Sequence, residues 1–331
     1  MRSTSELFNI PTIVETPEGM SIKDHESDWS IMTLSEPIGQ GEMILKCISP
    51  WFVAARIDFS CDYCPNMKQD TLQQGHGRWL SINYCEEGRC EVDMGSAGCA
   101  VVKAADLCIS SADRWPDGFR YPSGRYRGIE LWINTDLLND PSFQLLAEAG
   151  ISLNALAVTA NPASVITTDA SLSTPMKNIG DALGSNRIDD PLTVARCKGD
   201  LISLLLAVAD YDLANTKPPS LLSPRQLRVI RSIGESIRQD PAATYDARVL
   251  AKDAGISAST LNAWFASLYG KTVSAYVRYA RMELAAMLLA KGKSVAETPL
   301  EVGYANPSKF AAVFKKERGM TPSEFRQVKS N

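Results

Sequence analysis

SVAETPLEVGYANPSKFAAVFKKERGMTPSEFR, residues 294–326, reads as helix, tight turn, helix, stop. Ser294 and Glu297 have the spacing of a capping box, a serine at the cap and a glutamate three residues on. Val295, Leu300 and Val302 supply the apolar positions of a short first helix. Gly303 follows where a left-handed residue would end it. Asn306-Pro307 opens the second helix: a cap residue, then proline at the first helical position, where a missing N–H costs nothing. Phe310, Val313 and Phe314 recur at helical spacing and predict one buried face, leaving the other sides to Ser308, Lys309, Ala312, Lys315 and Lys316. Gly319 closes this helix and Thr321-Pro322 starts a last short one. Two short helices about a glycine, the second basic on its outer side, make the pattern of a DNA-reading helix-turn-helix.

The same grammar stands earlier, in residues 249–265, with its turn at Gly255, its cap at Ser257, and Leu261, Trp264 and Phe265 inside. Between the two copies, Thr272 to Lys291 carries Val273, Tyr276, Val277, Ala280, Leu284, Met287 and Leu288 at helical spacing, with Gly292 behind. Roughly 20 residues of helix span about 30 Å. Successive major grooves on one face of DNA lie about 34 Å apart. A rod of that length suits two reading helices in neighbouring grooves. Ser259, Thr260 and Asn262 project from the first reading helix, behind the cap Ser257. Asn306, Ser308, Lys309 and Ala312 project from the second. Asn pairs bidentately with adenine, and Ser or Thr with several bases. Lys315, Lys316 and the helix N-termini are the expected phosphate contacts. Arg281 is expected to be a structural arginine of the connecting helix.

These residues carry a resemblance. Residues 225–327 resemble the DNA-binding domain of AraC/XylS-family transcriptional regulators. The match runs through Leu261…Phe265, Tyr276…Arg281…Ala285…Leu288-Leu289, Val302-Gly303-Tyr304, Ser308-Lys309-Phe310, Phe314-Lys315 and the closing Gly319-Met-Thr-Pro-Ser-Glu-Phe-Arg326. There are two departures. Ala263 stands where the family often has arginine. Pro299 stands where it usually has alanine, and a helix-interior proline costs about 3 kcal/mol, so a kinked or irregular helix is expected there. The resemblance implies promoter DNA as partner, a homodimer, RNA polymerase as a further partner of an activator, and an N-terminal cupin-like domain binding a small effector.

The charge fits. The chain has 331 residues, 34 Lys+Arg and 38 Asp+Glu. From Leu221 on there are 17 basic and 9 acidic residues, a net +8; the remaining 17 and 29 leave −12 before it. A basic end on an acidic body suits nucleic acid at one end only. Length allows two or three domains. With no apolar run of membrane-spanning length and no signal core after Met1, the expected location is cytoplasmic.

In order along the chain, residues 1–35 are polar and mixed and predict a loose N-terminal arm. Within residues 36–160, the expected cupin-like domain, the text from Gly41 to Asn134 changes to short β-like segments at Ile44–Ile48, Trp51–Phe59, Trp79–Tyr84, Arg89–Met94, Ala100–Val102, Leu107–Ser110 and Arg127–Asn134. Leu80, Ile82 and Tyr84 alternate with Trp79, Ser81 and Asn83, as in a half-buried strand, and Ile129, Leu131 and Ile133 do likewise. Gly88 in Glu86–Arg89 signals a hairpin. Such spacing predicts a small barrel or jelly roll. Helical periodicity returns at 135–150, where Pro141 breaks or restarts it, and again at 172–183 and 192–213, within the helical dimerisation and linker region assigned to 161–213. Its last stripe, Val194, Cys197, Leu201, Leu204, Leu205, Val208 and Tyr211, either packs on its own barrel or forms a dimer seam. Residues 214–224 are a proline-containing linker. The expected fold is α+β multidomain: a cupin-like barrel with helical linker, then an all-α double helix-turn-helix domain at 225–327.

Other chemistry has thin support. Cys61-x-x-Cys64 has metal-ligand spacing, and Cys85 with Cys90 are the thiols that would complete a tetrahedral zinc site. That is the alternative reading, an Ada-like thiol or zinc repair or redox-sensing regulator. Against it, the flanking residues do not resemble the Ada motif, and isolated Cys in strands is usually a small buried hydrophobe. His25 and His76 are far apart and form no H-x-H pair. There is no G-x-S-x-G, P-loop or Rossmann fingerprint. The chain is therefore read as no enzyme, with no cofactor and no metal assigned. Trp79, Tyr84, Trp115 and Trp132 are the aromatic candidates for lining an effector pocket.

Overall fold

The computed structural model describes residues 19–25, 28–61, 79–93, 98–111, 118–136, 141–153, 155–156, 163–185, 187, 189–211 and 222–330. The chain divides into two compact units, 1–221 and 222–331. Cys64, His76, Trp115 and the 214–220 segment lie outside the described residues.

The first unit is an antiparallel sheet backed by helices. Its strands are β1 (Met20–His25), β2 (Trp29–Leu34), β3 (Gln40–Ser49), β4 (Phe52–Ser60), β5 (Trp79–Asp93), β6 (Cys99–Lys103), β7 (Asp106–Ser111), β8 (Gly118–Arg120), β9 (Tyr126–Asn134) and β10 (Ala163–Thr167). They are ordered β1-β2-β3-β4-β9-β5-β7-β10, with β6 and β8 also pairing β5. Helices α1 (Gln144–Glu148), α2 (Ala170–Leu183) and α3 (Pro191–Ala209) complete it. Met20–His25 and Trp29–Leu34, inside the expected arm, are instead paired antiparallel strands of the sheet. Ser30, Met32 and Leu34 alternate inward while Thr33 faces water, a period too short to stand out from the polar composition.

The expected hairpin at Glu86–Arg89 is not a turn. Gly88 takes φ +86° inside the single strand β5, where a Cβ would sit 1.9 Å from the Arg125 carbonyl oxygen. The register against β9 shifts between Cys85 and Glu87. Before the bend β5 pairs β9 and β7; beyond it, residues 89–93 pair β6. A left-handed glycine marks a bulge as readily as a turn, and here it carries one strand from one sheet into the other.

Alternation along β5 and β9 sorts two cores. Leu80, Ile82, Tyr84, Ile129, Leu131 and Ile133 pack beneath the helices. Cys85, Tyr126 and Trp132 face the opposite cluster, with Val53, Ile57, Phe59, Val92 and Tyr121. The strands are therefore buried on both faces, not half-buried: Ser81, Asn83 and Glu130 are each at most 8% exposed. Among the described residues of the helical stretch expected at 135–150, helix starts at Pro141, with a 3₁₀ turn, Pro141–Phe143, followed by α1. The α3 stripe goes to its own core. Cys197, Leu201, Leu204, Leu205 and Val208 are all at most 2% exposed against the sheet. That stripe is unavailable as a dimer seam.

The second unit is all helical: α4 (Pro224–Gln239), α5 (Ala247–Asp253), α6 (Ala258–Tyr269), α7 (Val273–Ala290), α8 (Thr298–Glu301), α9 (Pro307–Arg318) and α10 (Pro322–Ser330). The expected kink at Pro299 becomes a short helix. The Ser294 hydroxyl accepts from the Glu297 amide at 3.2 Å and donates to its carboxylate at 2.7 Å. Pro299 then sits in the first turn of a four-residue α8, where its missing amide is tolerated.

Candidate nucleic-acid interface

Each helix-turn-helix is built by local chemistry. Ser257 caps α6 by accepting the Thr260 amide at 3.1 Å, and Asn306 caps α9 by accepting the Lys309 amide at 3.0 Å. Four and eight residues beyond each cap stand Leu261 and Phe265 in α6, and Phe310 and Phe314 in α9. All four are at most 1% exposed. The turns close at Gly255, φ +68°, and Gly303, φ +78°. A Cβ at Gly255 would meet nothing, but one at Gly303 would lie 2.6 Å from the Ala242 carbonyl oxygen. Conformation alone asks for glycine at the first turn; conformation and space both ask for it at the second.

Helix α7 joins the two. Its 18 residues span about 27 Å, and it packs against α6, α8, α9 and α10. Arg281 fastens it, as expected of a structural arginine. Its guanidinium donates to the carbonyls of Pro241 (2.8 Å), Ala242 (3.2 Å), Ala243 (3.0 Å) and Gly303 (3.1 Å). The loop after α4 and the second turn are thus tied to one side chain. Arg278–Glu317 at 3.4 Å and Glu283–Arg318 at 2.6 Å brace α9 on α7.

The outer faces differ between the two units. On α6 the exposed residues are Ser259, Ala263 and Ser267, with Thr260 half-buried. Ser259 and Thr260 hydroxyls lie 2.8 and 2.7 Å from the Ser257 hydroxyl, so all three cluster at the helix start. On α9, Ser308, Lys309, Ala312, Lys315 and Lys316 are all exposed, as is the cap Asn306. The three lysines have no ion-pair partner among the described residues. Asn262 is a correction: its side-chain oxygen accepts the Val273 amide at 3.0 Å. That amide is an orphan donor at the start of α7. Asn262 therefore ties α6 to the start of α7 through its side-chain oxygen. Its counterpart five residues past the other cap is Ala311, also half-buried. Arg248 and Lys252, exposed one turn apart on α5, were not among the expected contacts. They supply the charge that α6 lacks; their i, i+4 spacing is the only sequence signal for them.

The profile of a family described as Helix-turn-helix domain matches residues 250–328. A protein of Streptomyces lividans named an AraC-like transcription regulator is 35% identical over 92 residues, 28% of this chain and 30% of that one. Residues 250–328 form an AraC-type helix-turn-helix domain. An uncharacterized HTH-type transcriptional regulator of Pseudoalteromonas carrageenovora is 40% identical over 77 residues, 23% of this chain and 46% of that one. The chain thus spans less than half the length of these curated relatives. The structure of a transcriptional regulator with an AraC-type DNA-binding domain from Chromobacterium violaceum covers 31% of this chain and 94% of its own, at 20% identity and a TM-score of 0.29.

Outside the AraC-type domain, a polar row crosses the inner face of the first unit. Ser81 donates to Glu130 at 3.2 Å, and Tyr126 donates to Asn83 at 2.9 Å. Burial pushes the Glu130 carboxyl up to about 7, against hydrogen bonds from Ser81 and Asn83. Trp132, 7% exposed, and Trp79 belong to this face; Tyr84 lies on the other, beneath the helices, and so cannot line the same interior. The seven described cysteines are buried. Desolvation pushes Cys85, Cys99 and Cys108 up to about 12, and Cys47 and Cys197 to about 11, the reverse of what thiolate chemistry needs. No group of three metal-ligating side chains occurs among the described residues, and no helix among them is long and apolar enough to cross a membrane.

Proposed function

We propose that this protein is a sequence-specific DNA-binding transcriptional regulator that sets α6 and α9 in successive major grooves. The observation that carries the reading is the exposed α9 stripe Ser308, Lys309, Ala312, Lys315 and Lys316, whose lysines form no close ion pair among the described residues. Ser257, Ser259 and Thr260 form the hydroxyl-rich start of α6, Asn306 the start of α9, and Arg248 and Lys252 flank them as phosphate contacts. Ser308 and Lys309 are assigned to base edges, Lys315 and Lys316 to phosphates. The first unit is read as a cupin-like effector domain with Trp79 and Trp132 beside the Glu130 row. A cytoplasmic homodimer, with RNA polymerase as partner where the outcome is activation, completes the reading.

The test is affinity for a promoter fragment located by footprinting. Removing both Lys315 and Lys316 as alanines is expected to weaken binding uniformly across sequences and to reduce the salt slope by about 2, since each phosphate contact contributes about 0.9. Lys309→Ala is expected to cost about 1–3 kcal/mol and to relax sequence preference. Unchanged affinity and salt slope in all three substitutions would remove the assigned face.

A further inference from the structure

Helices α6 and α9 are two copies of one element. Each runs 12 residues from its cap, Ser257 or Asn306, to a left-handed glycine, Gly270 or Gly319. Between those ends three positions hold the same residue in both copies: Ser259 with Ser308, Ala263 with Ala312, and Phe265 with Phe314. The phenylalanines are sealed in the core. The serine and the alanine are exposed in both copies, four residues apart, so they stand on one face of the helix, one turn from each other. Charge, by contrast, changes place between the copies. The positions of Lys309, Lys315 and Lys316 are held in α6 by Thr260, Ala266 and Ser267. On the helix before the turn, counted back from Gly255 and Gly303, Arg248 and Lys252 of α5 stand where the second unit has Ala296 and Leu300. Helices α6 and α8 carry no basic residue, while α5 and α9 do. Cations hold phosphates, which carry no sequence information directly. What the two copies share on the outside is the uncharged pair.

We propose that Ser259 with Ala263, and Ser308 with Ala312, read the same thymine-containing base step in two grooves. The alanine methyl meets the C5 methyl of a thymine, and the serine hydroxyl takes the neighbouring base edge. The assignment rests on the DNA reading above and names the sequence class it selects. Thymine follows from chemistry. Its C5 methyl is the apolar group that the major groove displays, and alanine has nothing but a methyl to set against it. A hydroxyl both donates and accepts, so the serine tolerates several bases and the thymine is the fixed element. Lys309 stands beside Ser308 and has no counterpart in α6, where the position is Thr260. It adds the O6 and N7 acceptors of a guanine to the second half-site alone. The operator therefore holds two equivalent thymines about one turn of DNA apart, roughly 10 bp, with a guanine fixed beside one of them.

The test replaces each thymine of the footprinted promoter fragment, one at a time, by uracil, which lacks only the C5 methyl. Affinity of the full chain is read by fluorescence anisotropy at fixed salt. Two thymines roughly 10 bp apart are expected to cost about fourfold each, the worth of one buried methyl, and the others less than about 1.5-fold. Ala263→Gly is expected to erase the penalty at one of the two and leave the other, and Ala312→Gly to do the reverse. Each penalty is a ratio within one protein, so any cost of glycine to the helix cancels. A flat uracil profile, on a fragment that the wild type binds with steep salt dependence, overturns the pairing and leaves the DNA reading standing. So do penalties that survive in both glycine variants. A single sensitive thymine overturns it as well, since the two units would then not read alike. A chain whose affinity responds neither to salt nor to Lys315→Ala/Lys316→Ala fails at the DNA reading itself, and the base assignment falls with it.

Discussion

Arg281→Ala is expected to lower the unfolding free energy of the C-terminal unit by about 3 kcal/mol, read from urea denaturation followed by tyrosine fluorescence. The side chain makes charge-assisted hydrogen bonds to four backbone carbonyls, from 2.8 to 3.2 Å, and lies 5.7 Å from the Tyr304 ring centre. Each such bond is worth about 1.5–3 kcal/mol in isolation, but Arg281 is only half-buried and water would take over part of the set, so the sum is discounted. The carbonyls sit in two segments far apart in sequence, residues 241–243 and Gly303, so the loss detaches the second turn from the rod. DNA affinity should fall with stability even though no contact residue is altered. Arg281→Lys should recover less than half of the loss, because an ammonium cannot reproduce the fork that spans four acceptors. A loss under about 0.5 kcal/mol, the range of an ordinary surface substitution, would mean the clamp is not a structural element.

Glu130 sets a second, pH-dependent effect. Its carboxyl is held up to about 7 in the folded unit, against an ordinary value of 4.5, chiefly by burial. Between these values the folded state keeps a proton that the unfolded chain has released. Stability from this group is therefore full below about pH 4.5, falls as pH rises, and is flat above about pH 7. The 2.5-unit difference corresponds to about 3 kcal/mol. Thermal unfolding of the N-terminal unit should show Glu130→Gln gaining on wild type by about that amount between pH 5 and 8, the glutamine keeping an acceptor for the Ser81 hydroxyl without a charge to ionise. Parallel pH profiles for the two proteins would show that the carboxylate is solvated in the folded state.

Glu130 also marks where sequence reading runs out. The alternation of Ile129, Leu131 and Ile133 correctly locates a strand, and the same alternation places Glu130 in water. Only the cluster packed on that face, which gathers Val53 and Phe59 of β4, Val92 of β5 and Val102 of β6, leaves it buried. Gly88 was legible as a left-handed residue, but whether the chain reverses there depends on which strands come to pair beyond it. The α3 stripe shows the same limit. Its spacing specifies a buried face, and only the packed sheet says what buries it.

What the residues determined by themselves is the helix-turn-helix domain down to its caps: Ser257, Asn306, Gly255, Gly303 and the paired inner positions 261, 265, 310 and 314. Caps, turn glycines and helical periodicity act within a few residues, so their consequences are written locally. Tertiary structure alone decided that Asn262 spends its oxygen on Val273, that Arg281 gathers carbonyls from two distant loops, and that three polar side chains of β5 and β9 are sealed inside. Those outcomes depend on groups brought together from far along the chain, and a hydrogen-bond partner or a covering layer leaves no mark at the position it acts on.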